Sequence, residues 1–452
     1  MFSMRSIVSE MVPVTVPDRS LRKAYWRHRF AGPPPHPSTP YSVSMRELTR
    51  RRDSSIGATR HTLLVYNTYL LRAEIYILDF LLDRVKDAAE EIADDAIPDW
   101  IPGSGYLEDA VSWAVDKGTG ILKPILPDGK VVLEKKPALS ARASEIGQEL
   151  ASGNVADIAA LCEVWKTDLF EKLMTPLSAK YSAGLSVVSG SMANDDSLTG
   201  SGLCVLGLNR SVTKIAEHIF TNKGSRHQDA DAWAQKSVIL SRIDVGCGKI
   251  DLYSTHLHSG NDLGDVQNLN VDLGSLDLGV TEIDFGKIGL TSAPSEQDKH
   301  NVRIAQCEEI VEFIKQTHDP KNIAILVGDF NINAQDQAQH TQLRDVMFKA
   351  GLQDLWKRQY NDTSLGMTHG DPNQICPVNT PADEFANETL PAQGGSRIDY
   401  VFVELVKKTH SFDLDLTVIK RRPFRRAVAT EGEAFMSDHI GLSMDLLCSP
   451  KK

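Results

Sequence analysis

The chain has 452 residues, 41% of them hydrophobic and 24% charged, and carries a formal net charge of −11. That length implies either two domains or one large domain with extensions, and the composition is that of an ordinary globular protein. The acidic balance argues against binding nucleic acid through a broad basic surface, although it leaves room for a local basic patch.

Residues 1–60 contain Arg22, Lys23, Arg27, Arg29, the run Pro33-Pro34-Pro35 and Arg50-Arg51-Arg52, a composition that predicts an extended, partly disordered arm. The opening residues lack a sustained apolar core followed by a small-residue cleavage site, so no secretory signal is expected. No apolar run reaches the length that spans a bilayer. The six cysteines (Cys162, Cys204, Cys247, Cys307, Cys376 and Cys448) have no metal-binding spacing and several sit in apolar runs, which predicts reduced core residues of a cytosolic chain.

His61 to Tyr66 reads as a buried strand that delivers Asn67 at its end. Leu78, Leu81, Leu82, Val85, Ala89 and Ile92 then recur at helical spacing with Asp83, Asp87, Glu90 and Glu91 opposite, predicting an amphipathic helix packed on the core. Gly103, Gly105, Gly118 and Gly120 punctuate the stretch that follows. A helix over Ala138 to Leu150 leads into a strand over Asp157 to Val164, whose apolar body carries Glu163. A carboxylate in that position needs a cation, either an arginine or a metal ion.

Gly202 to Leu208 and Ser237 to Val245 read as neighbouring antiparallel strands, and Lys249 to His258 as another whose alternation places His256 and His258 on one face. Residues 259–298 carry a loose Asp-Leu-Gly recurrence, too irregular for a calcium repeat, and predict an inserted hairpin or meander. His300 to Thr317 is a helix with Val302, Ala305, Ile310, Phe313 and Ile314 on its buried stripe. The apolar run Ile323 to Val327 follows, and it ends in Gly328-Asp329-Phe330-Asn331. In extended chain Asp329 and Asn331 point to one side and converge; the bland alternative is an Asx turn closing the strand. A helix over Asp336 to Ala350, a loop rich in Gly, Asn and Pro over 361–395, a strand over Arg397 to Glu404 interrupted by Asp399, and Ser437-Asp438-His439 before a last strand complete the chain.

Strand ends therefore supply Asn67, Glu163, His256, Asp329, Asn331, Asp399, Asp438 and His439. Carboxylates and amides are hard oxygen ligands suited to Mg²⁺ or Mn²⁺, and an acid beside a histidine raises its basicity toward an attacking water. Metal-assisted hydrolysis of a phosphoester is the chemistry this set suits.

The motifs Tyr66-Asn67, Asp157 to Trp165, Ser254 to His258, Gly328 to Asn331, Arg397 to Phe402 and Ser437 to His439 resemble, in order, the signature of the endonuclease/exonuclease/phosphatase superfamily. Within it the chain looks most like the neutral sphingomyelinases, through Gly200 to Val205, Glu217 to Phe220, Trp233 with Lys236, Tyr253 to His258, and Arg303 with Gln306. The resemblance implies an α/β (α+β) four-layer sandwich of two mainly antiparallel sheets flanked by helices. It also implies a catalytic domain over 61–450 with a helical insertion at about 71–137 and a second insertion at about 259–298.

The resemblance further implies that Asn67, Glu163 and Asp438 hold the metal, that His439 is the general base oriented by Asp399, and that Asp329 and Asn331 position water and phosphate. His256 would bond the phosphoryl oxygen, with Lys236 and His258 on the substrate. The expected activity is Mg²⁺-dependent hydrolysis of a phospholipid head group of the sphingomyelinase type, at a membrane surface by a cytoplasmic, peripherally bound enzyme without a transmembrane segment. The alternative is a nuclease of the same superfamily.

Overall fold

In the computed structural model of the chain the described residues are 58–70, 73–76, 78–96, 105–125, 130–133, 139–153, 155–190, 200–226, 228–260, 270–277, 282–289, 293–360, 366–370, 395–405, 410–416, 419–430 and 433–451. The expected basic arm lies almost wholly outside them.

Two runs set the architecture, because each buries both faces of a strand. In β1 (Thr59–Leu70) Leu63 and Val65 face one apolar cluster while Leu64 and Tyr66 face another. In the equivalent strand Ile323–Asp329, Ile323, Ile325 and Val327 join the first cluster, and Ala324 and Leu326 a third. Each such aliphatic side chain contributes about 1.5–3 kcal/mol when fully buried. A strand with two apolar faces must be sandwiched, so sheet packs on sheet and helices cover the outside.

The remaining strands of the two main sheets are β2 (Ile158–Val164), β3 (Leu185–Ser189), β4 (Cys204–Leu208), β5 (Val212–Ile219), β6 (Ser237–Asp244), β7 (Lys249–His256), β8 (Ile323–Asp329), β9 (Leu352–Asp354), β10 (Asp399–Glu404), β11 (Phe412–Leu416), β12 (Lys420–Arg422) and β13 (Gly441–Pro450). The first sheet runs β11-β13-β1-β2-β4-β3 with β12 also on β13, and the second runs β9-β10-β8-β7-β6-β5. Pairing is antiparallel except β1 with β2 and β7 with β8, one parallel pair at the heart of each sheet.

The helices are α1 (Leu78–Ala96), α2 (Gly105–Ile125), α3 (Leu139–Ala151), α4 (Thr167–Lys180), α5 (Glu296–Thr317), α6 (Gln337–Phe348) and α7 (Leu355–Tyr360). Ile146 and Leu150 of α3 and Leu169 and Leu173 of α4 cover the outer face of the first sheet. Ile310 and Ile314 of α5 and Leu343 and Met347 of α6 cover the second. This is the expected four-layer sandwich. Helix α5 begins at a capping box between Ser295 and Asp298. Among the described residues no helix is long and apolar enough to cross a membrane.

Five expectations change. Helix α1 forms as predicted but packs chiefly on α2 and on the strand Glu282–Gly289 rather than on the main core. Strands β4 and β6 are not neighbours: they lie in different sheets, β6 pairing with β5. Both were read as alternating or apolar runs, a pattern that leaves the partner undetermined, and β5 is an edge strand with only one fully buried side chain. Gly118 and Gly120 do not punctuate the chain but lie inside α2. A Cβ on Gly118 would stand 3.1 Å from a methyl of Val85, so glycine here lets α1 and α2 approach. His256 and His258 do not share a strand face, because β7 ends at His256. Finally, Cys247 and Cys448 form a disulfide with Cα atoms 6.0 Å apart, joining the β6–β7 turn to β13. Cys162, Cys204 and Cys307 are free and buried, and Cys376 lies outside the described residues.

Candidate active site

The C-terminal ends of the two parallel pairs converge, as open parallel strands place functional groups beyond their carboxyl ends. Asn67 and Glu163 come from β1 and β2, and His256 and Asp329 from β7 and β8, where they face each other in register. That register requires Gly328: its φ is 144°, and a Cβ there would lie 1.8 Å from the Thr255 carbonyl oxygen. Glu163 and Asn331 hold φ near 62° and 50°, left-handed values uncommon for such residues and found where surrounding structure fixes a functional geometry.

The Asn67 amide is the hub. Its Nδ2 lies 3.0 Å from Glu163 Oε1, 3.0 Å from Asp329 Oδ2 and 3.4 Å from His439 Nε2. His439 Nδ1 is 2.8 Å from Asp399 Oδ2, which orients the ring, and its Nε2 is 3.6 Å from Asp329 Oδ2. His256 Nε2 stands 3.8 Å from both Glu163 and Asp329. The Asn331 backbone N–H donates to Asp329 Oδ1 at 2.9 Å and its amide to the Leu257 carbonyl at 3.1 Å. An Asx-type bond closes the strand, as the bland reading held, and it also holds the Asp329 carboxylate toward the site.

Electrostatics sort the groups. Burial pushes the Glu163 carboxyl up to about 7 against the hydrogen bond from Asn67, and Glu163 Oε2 has no hydrogen-bond partner. A buried carboxylate with an orphan oxygen is a hard-oxygen donor, so Glu163 fits a divalent cation, whereas Asn67 turns its NH₂ toward Glu163 and its Oδ1 accepts the Tyr69 backbone N–H at 3.0 Å. Burial, then the Lys236 ammonium, push His256 down to about 3, so that ring is neutral. Burial opposes charge on His439, but Asp399, Asp329 and Asp438 outweigh it and raise the ring to about 10.

Asn67, Glu163, His256, Asp329, Asn331, Asp399 and His439 are thus brought together. Asp438 sits at the rim with its side chain 27% exposed. Lys236 Nζ lies 3.1 Å from His256, 2.6 Å from the Leu257 carbonyl and 2.8 Å from Asp231, so its three protons are committed to protein partners. His258 turns away: its Nε2 is 2.5 Å from Asp229, its backbone N–H bonds Gln306, and Arg303 holds its carbonyl.

Sequence reading missed several supports. Asp231 is the counter-ion that a buried Lys236 demands, and that demand was the available signal. Thr368 accepts the Asp399 backbone N–H at 3.2 Å, and Ser437 Oγ donates to the Asn67 carbonyl at 2.8 Å. Arg142 of α3 is buried and donates to the carbonyls of Tyr69 and Met436, each at 3.0 Å. It thereby clamps the segment after Asn67 to the segment before His439.

No protein-family model matches the chain. It is 26% identical over 257 residues to human (Homo sapiens) sphingomyelin phosphodiesterase 2, covering 55% of this chain and 48% of that protein. It is 24% identical over 262 residues to the rat (Rattus norvegicus) sphingomyelin phosphodiesterase 2, covering 56% and 49%. The chain therefore spans about half the length of the curated relatives it matches. Among solved structures it aligns with SmcL at a TM-score of 0.44 and 15% identity, over 85% of this chain and 98% of that one.

Proposed function

We propose, from a likeness to sphingomyelin phosphodiesterases carried both by ordered motifs and by sequence alignment, that the chain is a metal-dependent phosphodiesterase cleaving a phospholipid head group. The observation that carries the reading is the Asn67 amide touching Glu163, Asp329 and the ring of His439 at once. It supports the reading because a carboxylate able to bind a cation and an imidazole able to act as a base lie within one small volume.

In this reading Glu163 would hold Mg²⁺, joined by Asn67 once its amide oxygen turns from the Tyr69 N–H, with Asp438 at the rim. When bound, the cation supplies positive charge to a phosphoryl oxygen and offsets the carboxylate field that keeps the His439 ring protonated. Asp399 fixes the tautomer by accepting from Nδ1, leaving the Nε2 lone pair to take a proton from the attacking water. Asp329 and Asn331 position that water and the phosphate. His256, kept neutral by burial and by Lys236, would sit beside the phosphoryl oxygen, and because its Nε2 accepts from the Lys236 ammonium the pair brings that positive charge toward the oxygen as negative charge builds there. Lys236 acts through His256, and His258 through the loop it anchors, rather than by touching substrate.

The substrate is presented at a membrane surface, so the association is peripheral. Disulfides persist in oxidising compartments, and the Cys247–Cys448 bond removes the ground for a cytosolic placement. Sphingomyelin micelles and plasmid DNA, offered side by side with Mg²⁺ or EDTA, test the proposal against the nuclease alternative. Mg²⁺-dependent phosphocholine release, lost in His439→Ala, is the expected result. Nicking of DNA with the lipid untouched overturns the lipid reading.

A further inference from the structure

One imidazole near the site has no part in that chemistry. His369 lies opposite His439 across an isolated antiparallel bridge, with ring centroids 4.8 Å apart. Its Nε2 is 3.9 Å from Asp438 Oδ2, and its Nδ1 is 3.4 Å from the Ser396 hydroxyl. The side chain is 41% exposed, so the imidazole faces solvent at the rim.

The backbone beneath it is pinned on three sides. Thr368 donates to Ser396 at 2.9 Å, Ile440 to Thr368 at 2.6 Å, and Gly370 to Asp438 at 3.3 Å. His369, Asp438 and His439 are therefore presented by a fixed two-stranded bridge, and one ligand atom from each lies within 4.8 Å of the others. Tetrahedral zinc with bonds of ~2.1 Å holds its ligands roughly 3.4 Å apart, so modest side-chain rotations close the set. Two imidazoles and one carboxylate suit Zn²⁺ or Cu²⁺, whereas the amide and carboxylate around Glu163 suit Mg²⁺.

We propose that His369, Asp438 and His439 form a transition-metal site at the rim, and that Zn²⁺ bound there shuts off hydrolysis by engaging the ring of His439. Binding through Nε2 takes the lone pair that receives the water proton. Binding through Nδ1 breaks the 2.8 Å bond to Asp399. Either way the ring no longer serves as a base. The inhibitory half of the inference rests on the reading of His439 given above; the metal site does not.

The test keeps the two apart. Chelator-treated protein comprising residues 1–452, held in saturating Mg²⁺, is titrated with ZnCl₂ by calorimetry and with Co²⁺ by visible ligand-field absorption. His369→Ala and His369→Gln are run alongside, with thermal unfolding as a folding check. The expected result is one Zn²⁺ equivalent bound by wild type and affinity weakened at least tenfold in both variants. In hydrolysis assays, with each protein normalised to its own zinc-free rate, the inhibitory zinc concentration rises by a similar factor.

Equal zinc affinity in wild type and variants overturns the site. So does zinc inhibition that persists in both His369 variants while zinc binding is lost in Glu163→Gln, because that places zinc at Glu163. His369-dependent binding that leaves hydrolysis unchanged keeps the metal site and overturns its inhibitory role. The same binding in a protein that hydrolyses no phosphodiester leaves the site standing and overturns the proposed function instead.

Discussion

Replacing Cys247 and Cys448 by serine tests how the two sheets are held together. The disulfide links positions 201 residues apart. A closed loop of that length removes about 18 cal/mol/K of entropy from the unfolded chain, or about 5 kcal/mol at room temperature, by the loop-closure relation. Residual structure in the reduced unfolded state lowers this, so a loss of about 2–5 kcal/mol is expected. Cys448 is also seven residues along β13 from Gly441, roughly 23 Å from the catalytic end at strand rise. Activity per folded molecule should therefore be unchanged while the guanidinium midpoint falls. The assay is denaturant unfolding with and without reductant, together with thiol titration of the denatured protein. Coincident unfolding curves, or six titratable thiols without reductant, refute the reasoning.

Asp399→Asn should leave the fold intact and lower kcat by roughly 10³–10⁴-fold, since the wrong ring tautomer of His439 is then favoured; steady-state kinetics on a soluble phosphodiester measure it, and a loss under tenfold counts against the pair. Glu163→Gln should abolish activation by Mg²⁺ yet stabilise the metal-free protein above pH 7 by about 2–3 kcal/mol. A carboxyl raised to about 7 binds its proton more tightly when folded, so wild-type stability falls as pH climbs from about 4.5 to 7 and the glutamine does not share that fall. At the opposite end of the second sheet His318 pairs with Asp251 at 3.1 Å and Glu404 at 3.2 Å. Burial opposes its charge, but these carboxylates raise it to about 9. Its stabilisation is complete below about pH 6.5 and lost through about 9, near 1–2 kcal/mol after screening. Melting temperatures of His318→Gln should accordingly match wild type at pH 10 and fall below it at pH 6.

Much of this was legible because strand ends advertise themselves. A β-branched run such as Ile323 to Val327 can only be buried, and a carboxylate stopping it stands out. The same rule found Asn67, Glu163, His256 and Asp399, and hence the two convergent sheet ends. Pairing was less legible. The largely buried β4 and β6 carry no mark of which sheet they join, and β5, exposed along much of its length, left no apolar signal to separate them. Cys247 and Cys448 escaped because proximity across two sheets has no trace in spacing. His369 escaped because it lies in a Gly- and Pro-rich stretch without an apolar repeat, and a bridge to His439 leaves no mark in the sequence.

The chain departs from its two sheets at matching places. The segment 71–137 leaves after β1, and the segment 259–298 leaves after β7, in each case before the helix that returns to the parallel partner strand. These excursions meet: α1 packs on the hairpin strand Glu282–Gly289, and α2 on its mate Asn270–Asp277. Neither excursion is then an independent cassette. Excising one leaves the other without the elements it packs against, so a minimal two-sheet core should be obtainable only by removing both. A chimera that transplants one alone should aggregate, however far it lies from any reacting atom.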